Sequence, residues 1–125
     1  MAKIIHIRTF FNINSIWIIL KLLVTGGLGF IGSNFILKML KENNDLEIIN
    51  IDDKLYGSNI KSLEKIEKSD KYEFVRGNIT NKEILEKIIP KCDAVINFAA
   101  ESFVDRSISN ATSSFDSNLK GIFIL

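Results

Sequence analysis

Short apolar runs alternate with amphipathic stretches along most of this chain. The apolar runs predict buried strands, and each is followed by a segment whose apolar residues recur at helical spacing. The predicted strands are KLLVTGG, LEIINID, YEFVRGN and DAVINFAA, and the predicted helices are FIGSNFILKMLKENN, SNIKSLEKIEKSD, NKEILEKIIPKC and SNATSSFDSNLKGIFIL. This alternation predicts an α/β fold with a doubly wound parallel sheet, the N-terminal part of a Rossmann domain, in the strand order 3-2-1-4.

The first twenty residues do not follow this pattern. Their Ile- and Phe-rich run contains no acidic residue and is interrupted by Asn12, Asn14 and Ser15. We expect residues 21–125 to form the α/β domain and residues 1–20 to be an extension of doubtful role, superfluous or mis-assigned. The alternatives, in order, are a peripheral strand or helix and a targeting segment.

Charge and composition narrow the classes of function. Sixteen basic residues stand against fifteen acidic ones, so the net charge of +1 offers no field for a nucleic acid or a membrane surface. The single cysteine, Cys92, cannot form an internal disulfide and fits a reducing compartment, from which we expect a cytoplasmic protein. The single histidine, His6, excludes a His-rich metal site, and we predict no metal. A small-molecule ligand is therefore favoured.

A glycine-rich segment, TGGLGFIG, lies between the first predicted strand and helix. Gly27, Gly29 and Gly32 fit G-x-G-x-x-G, while Gly26, Gly29 and Gly32 fit G-x-x-G-x-x-G. Both patterns permit a sharp turn, a close approach of backbone to a pyrophosphate, and an anion at the helix N-terminus. A glycine-rich turn alone is weak, but a strand before it and a helix after it are the context that a dinucleotide site requires.

Acidic residues at the end of the second strand select the dinucleotide. Asp52 lies twenty residues beyond Gly32, where a carboxylate can accept hydrogen bonds from ribose hydroxyls. A 2′-phosphate beside Asp52 and Asp53 would be repelled, and Arg76 and Arg106 lie far along the sequence. The predicted cofactor is therefore NAD rather than NADP.

The segments KLLVTGGLGFIGSN, NIDDKLYGSN, FVRGNIT and INFAAESFVDRSI resemble the extended short-chain dehydrogenase/reductase family. Within its nucleotide-sugar epimerase/dehydratase group, they are most similar to the dTDP-glucose 4,6-dehydratases. The similarity covers about residues 21 to 125 in order. It implies a nucleotide-sugar substrate, and a homodimer is compatible with the full-length family.

The resemblance implies roles for individual residues. The pyrophosphate loop would comprise Gly26, Gly29, Ile31 and Gly32, and the adenosine ribose would be surrounded by Asp52, Asp53, Lys54 and Leu55. Asn78 and Ile79 would lie beside the adenine, where the family usually has Asp-Ile. The nicotinamide side would be lined by Phe98, Ala99, Ala100 and Glu101. Ser102 would approach both the cofactor and the sugar nucleotide, and Ser117 would reach the cofactor from the next helix.

Three positions depart from the family pattern. Asn78 replaces an Asp, although an amide can still accept one hydrogen bond through its oxygen and donate through its nitrogen. Asn97 and Phe103 stand where the dehydratases usually carry His. Because Phe103 offers no hydrogen bond, the polarity of the active site is expected to differ.

The proton-transfer residues of the family are not found in this sequence. The family uses a Tyr-x-x-x-Lys pair, in which the Lys lowers the pKa of the phenol. Here Ile60 and Arg76 lie four residues after Tyr56 and Tyr72, the two tyrosines of the chain. Catalytic residues are thus expected beyond Leu125, and the chain is expected to be an N-terminal fragment that is inactive alone. The alternatives are a fragment of a UDP-sugar 4-epimerase, a non-catalytic NAD-binding module, and a decayed remnant that does not fold.

Overall fold

A computed structural model describes residues 19–55, 57–101 and 104–125. Its strands are β1 Leu20–Thr25, β2 Leu46–Asp52, β3 Tyr72–Arg76 and β4 Ala94–Asn97. Its α-helices are α1 Phe30–Glu42, α2 Lys82–Ile88, α3 Val104–Ser109, α4 Ala111–Phe115 and α5 Gly121–Ile124. Short 3-10 helices cover Ile60–Ile66 and Ile89–Lys91, and a π-helix covers Asp116–Lys120.

The four strands form one parallel sheet in the order β3-β2-β1-β4. Leu23 of β1 lies opposite Ile49 of β2 on one side and Val95 of β4 on the other. The predicted order 3-2-1-4 is therefore confirmed. All four strands end at the same edge of the sheet, and the order reverses between β1 and β4, which is where ligands bind in this architecture.

Alternate residues of the central strands build two hydrophobic clusters, one on each face of the sheet. Leu22 and Val24 pack on the face covered by α1 and the first 3-10 helix, whereas Leu23 and Ile51 pack on the face covered by α2 and α5. These side chains are all buried, as expected for strands covered on both faces. The doubly wound arrangement predicted from the sequence is thus confirmed.

Two helical segments differ from their predicted form. The helix predicted for SNIKSLEKIEKSD is present as a 3-10 helix that covers Ile60–Ile66 alone, with Leu63 buried. The C-terminal segment is divided by the π-helix, and it is preceded by α3, for which the sequence analysis proposed no helix. As predicted, α2 ends just before Pro90, which lacks the backbone N–H needed to continue it.

No helix in the described ranges is long and apolar enough to cross a membrane. Residues 1–18, on which the alternatives for the N-terminal extension depend, lie outside those ranges.

A buried amide connects the glycine-rich segment to the third strand. Asn50, fully buried on β2, accepts a hydrogen bond from the backbone N–H of Gly27 (3.1 Å) and donates one to the Tyr72 hydroxyl (2.9 Å). Burial raises the pKa of that hydroxyl above its ordinary value of 10.0, although the bond with Asn50 opposes the change. The neutral phenol is thus part of the network that holds the turn after β1.

The variant Tyr72→Phe tests this network. It leaves a buried N–H of Asn50 without its acceptor, so we expect the free energy of unfolding at pH 7 to fall by about 1–2 kcal/mol. Because the folded-state pKa is raised, the hydroxyl's contribution is present below pH 10 and lost as the pH rises through the folded-state value. Urea unfolding at pH 7 and above pH 10 measures both effects.

The exposed Glu73 on the same strand supplies the control for that measurement. Glu73→Gln should change the free energy of unfolding by less than about 0.5 kcal/mol, as is usual at the surface. Equal stability of Tyr72→Phe and the native chain would show that the network contributes nothing.

Candidate functional site

Close backbone contacts shape the turn between β1 and α1. Gly26 has a φ of 67°, in the left-handed region that favours glycine, and a Cβ there would lie 2.5 Å from the backbone N of Ala99. A Cβ on Gly32 would collide with the carbonyl oxygen of Gly26. These two positions therefore require glycine because another part of the backbone occupies the space of a side chain.

The first turn of α1 faces this loop without a capping side chain. Gly29 is the N-cap residue of the 13-residue helix, no side chain caps it, and its first turn carries no acidic residue. The first N–H groups of a helix have no partner within the helix, and its dipole places partial positive charge there. This end of α1 can therefore receive an anion.

The Asp52 carboxylate organises the loop that follows β2. Its Oδ1 accepts hydrogen bonds from the backbone N–H of Lys54 (2.8 Å) and the hydroxyl of Ser58 (2.9 Å). Its Oδ2 accepts one from the backbone N–H of Leu28 (3.0 Å), within the glycine-rich turn. A carboxylate accepts about four hydrogen bonds, so one position remains. Asp52 thus connects the loop after β2 to the glycine-rich turn after β1 through its own hydrogen bonds.

A cavity of about 400 Å³ lies at the carboxyl edge of the sheet. Most of the predicted site residues line it: Gly26, Gly29, Ile31, Gly32, Asp52, Asp53, Leu55, Asn78, Ile79, Phe98, Ala99, Ala100 and Glu101. The sequence analysis did not propose five further lining residues, namely Phe30, Ile51, Gly57, Ser58 and Gly77. The predicted residues come from four strand ends and one helix start, and the fold brings them to a single cavity.

The other three predicted residues are Lys54, Ser102 and Ser117. Lys54 has a φ of 57°, and its ammonium lies 5.0 Å from the centre of the Phe74 ring, on another part of the surface. Ser102 lies outside the described residues, as does the departure Phe103. For Ser117 the structure describes only the backbone, which lies in the π-helix.

Asn78 and Asp53 are bonded to each other on the cavity wall. The Asn78 amide nitrogen donates to Oδ2 of Asp53 (3.1 Å), while its oxygen accepts from the backbone N–H and the hydroxyl of Thr80 (2.9 Å each). From the sequence, we expected the Asn78 oxygen to be able to accept one hydrogen bond from adenine. Both of its lone pairs are instead used by Thr80.

A functional candidate that the sequence analysis missed is Asn118. Its amide oxygen accepts from the backbone N–H of Glu101 (2.8 Å), and its nitrogen donates to the Glu101 carbonyl (3.0 Å). This pair joins the segment after β4 to the π-helix, a form of helix found often at functional sites. Asn118 directly follows Ser117, and the only signal in the sequence is an amide in a segment predicted as a helix.

Asn97, the second departure, has a partner at the end of β1. Its side-chain oxygen accepts a hydrogen bond from the Thr25 hydroxyl. That hydroxyl in turn accepts from the backbone N–H of Ala99 (3.4 Å). Asn97 therefore helps to hold the end of β4 against β1, and it is not among the residues that line the cavity.

The described residues contain no cluster of three or more His, Cys, Asp or Glu side chains placed to hold a metal ion. The polar groups of the cavity are backbone N–H groups, carboxylates and amides. Such groups fit an organic ligand with an anionic part and hydroxyl groups.

Known proteins match this chain along most of its length. The chain is 37% identical over 106 residues to a dTDP-glucose 4,6-dehydratase of Mycobacterium tuberculosis, which covers 85% of the chain and 31% of that relative. A dTDP-glucose 4,6-dehydratase of Haemophilus influenzae is 40% identical over 108 residues, 85% of the chain and 32% of the relative. The chain thus spans about a third of the length of these curated relatives.

Solved structures agree with the fold. One of them is DesIV, a dTDP-glucose 4,6-dehydratase of Streptomyces venezuelae crystallised with NAD and TYD. The match covers 85% of this chain and 34% of the DesIV chain, with a TM-score of 0.80 and 37% sequence identity. The match to a UDP-glucose 4-epimerase of Thermotoga maritima covers 85% of this chain and 32% of the epimerase chain, with a TM-score of 0.73 and 27% sequence identity. The partial Rossmann fold is therefore shared with dehydratases and epimerases alike.

A family model described as GDP-mannose 4,6 dehydratase matches residues 23–125. That range contains the glycine-rich turn, Asp52, the Asp53–Asn78 pair and the segment after β4. The chain therefore belongs to the GDP-mannose 4,6-dehydratase family.

Proposed function

We propose that this chain binds NAD as the dinucleotide-binding part of a nucleotide-sugar dehydratase of the dTDP-glucose 4,6-dehydratase type. The observation that carries the proposal is one cavity lined by Gly26, Gly29 and Gly32 on one side and by Asp52 on another. Support also comes from the relatives, because dTDP-glucose 4,6-dehydratases match with higher identity than the epimerases do.

The pyrophosphate would lie against the first turn of α1. Gly26 and Gly32 keep this turn free of side chains, and the uncapped helix N-terminus supplies N–H donors and partial positive charge. The exposed side chains of Phe30 and Ile31 stand at the same place and can cover an organic ligand. The residues present therefore fit a dinucleotide.

The ribose of the adenosine would lie at the end of β2. Asp52 retains one free acceptor position, and Asp53 stands beside it on the cavity wall. Two carboxylates here oppose a 2′-phosphate through like-charge repulsion, which favours NAD over NADP.

The nicotinamide would lie near the segment Phe98–Glu101, after β4. When bound, NAD accepts a hydride from a substrate carbon and returns it. Asn118 would hold the Glu101 backbone in place for this end of the cofactor through its two hydrogen bonds. We also propose that Ser102 contacts the cofactor and the sugar nucleotide, and that Ser117 contacts the cofactor.

Proton transfer in the family depends on a Tyr-x-x-x-Lys pair, and the sequence contains no such pair. Neither of its two tyrosines is followed by a lysine four residues later. Tyr72 is buried on a strand and bonded to Asn50, away from the cavity. We therefore propose that the 125-residue polypeptide alone binds the cofactor without turning over a nucleotide sugar. We also propose that it does so in the cytoplasm.

Cofactor binding is tested by thermal unfolding and calorimetry with NAD. At a hundredfold excess over its Kd, NAD should stabilise the chain by about 2.7 kcal/mol, and the unfolding should be cooperative. Gly32→Ala should lose this stabilisation, because its Cβ must push away the Gly26 carbonyl. Asn44→Ala, in the exposed turn before β2, is the control and should behave as the native chain.

Either of two results contradicts the proposal. A cooperative transition that NAD leaves unmoved would indicate a folded module of another function. A chain without a cooperative transition would support the decayed remnant.

The absence of turnover is tested directly with dTDP-glucose and NAD. The purified polypeptide should form no 4-keto-6-deoxy product, because it lacks the Tyr-x-x-x-Lys pair that takes the sugar hydroxyl proton in the family. The Haemophilus influenzae relative, assayed in parallel, shows that the assay detects product. Product above the enzyme-free background would disprove this part of the proposal.

A further inference from the structure

Asp53 and Asn78 are bonded to each other, and each keeps some hydrogen-bonding capacity for a ligand in the cavity. Asn78 follows β3 and Asp53 follows β2, so the carboxyl ends of two neighbouring strands bring them together. Both side chains are half-buried, and both line the cavity. Their remaining capacity can be counted from the bonds they already make.

Asn78 can donate one more hydrogen bond but can accept none. Its oxygen accepts two bonds from Thr80, and one N–H of its nitrogen is donated to Asp53. An amide has two N–H donors and two lone pairs. The remaining group is therefore a single N–H.

Asp53 keeps most of its accepting capacity. Its Oδ2 accepts from Asn78, whereas Oδ1 has no hydrogen-bond partner and the carboxylate no ion-pair partner within the described residues. A carboxylate accepts through both oxygens and donates nothing. The pair thus presents a negatively charged acceptor beside an N–H donor.

We propose that Asp53, held by Asn78, is the residue that selects an adenine base. The proposal rests on the proposed function, since it assigns the base end of the dinucleotide to this wall. Adenine carries a 6-amino donor beside the N1 acceptor, which is the complement of the acceptor and donor of the pair. The 6-amino group donates to Asp53, and N1 accepts from Asn78.

Other purines mismatch the pair at both positions. Hypoxanthine and guanine carry a 6-oxo acceptor beside an N1–H donor. Their carbonyl oxygen would face the Asp53 carboxylate, and two acceptors in contact leave both without a donor. A site built to bond one group rejects an analogue that cannot make the bond, because its polar groups then remain unpaired.

The test compares NAD with nicotinamide hypoxanthine dinucleotide, which differs only at this base edge. Calorimetry on the native chain should give a Kd at least about tenfold lower for NAD, the discrimination expected of one bidentate pair. Asp53→Asn should lower the ratio of the two Kd values to less than about half of its native value, because an amide can present its oxygen to adenine or its N–H₂ to hypoxanthine, whereas the contact of the base N1 with Asn78 is unchanged. Asp70→Asn, exposed in the turn before β3, is the matched control and should keep the native ratio.

The outcomes separate this proposal from the proposed function. Equal Kd values for both dinucleotides on the native chain overturn the role of Asp53 and leave NAD binding intact. Binding of neither dinucleotide overturns NAD binding, and the adenine proposal with it. A native ratio retained by Asp53→Asn shows that another group reads the base. If Asp53→Asn does not unfold cooperatively, Asp53→Ser replaces it, since this variant also removes the charge. A native Kd ratio in Asp53→Ser would likewise show that another group reads the base.

Discussion

Two buried side chains of β2 accept hydrogen bonds from the glycine-rich turn, and the site depends on this constraint. Asn50 accepts from Gly27, and Asp52 accepts from Leu28, so two backbone N–H groups of the turn after β1 are satisfied by side chains of β2. The turn is therefore part of the sheet's polar interior and does not depend on a ligand for its shape. The helix N-terminus, the cavity wall and the loop after β2 all take their positions from this junction.

Much of the fold could be predicted because its signals are local. Strand identity, strand order and the position of the cavity follow from apolar runs, the glycine spacing and one acid at the end of β2. The bonds that decide what each polar group can still do join residues far apart in sequence, such as Asp53 with Asn78. Hydrophobic periodicity carries no information about such bonds, so the use of the Asn78 oxygen by Thr80 could not be predicted from the sequence.

Helix type was predicted less well than helix position. The segment Ile60–Ile66 has apolar residues at a spacing that suits an α-helix and a 3-10 helix alike, and its Asn59 cap suits either. Short side-chain caps and tertiary contacts decide between the two forms. Tertiary contacts also matter near the C-terminus. There the hydrogen bonds between Glu101 and Asn118 connect the π-helix to the segment after β4, and no feature of the sequence indicates that these two segments are neighbours.

The π-helix Asp116–Lys120 also sets the helical phase of everything after it. A π-turn holds one residue more than an α-turn, and each residue of an α-helix advances the chain by about 100° around the axis. With this phase Asn118 meets the Glu101 backbone, and Gly121 lies so close to Ile79 that a Cβ there would collide with the Ile79 side chain. Deletion of one residue here would rotate α5 by a quarter turn or more, so this segment should tolerate substitution far better than a change in length.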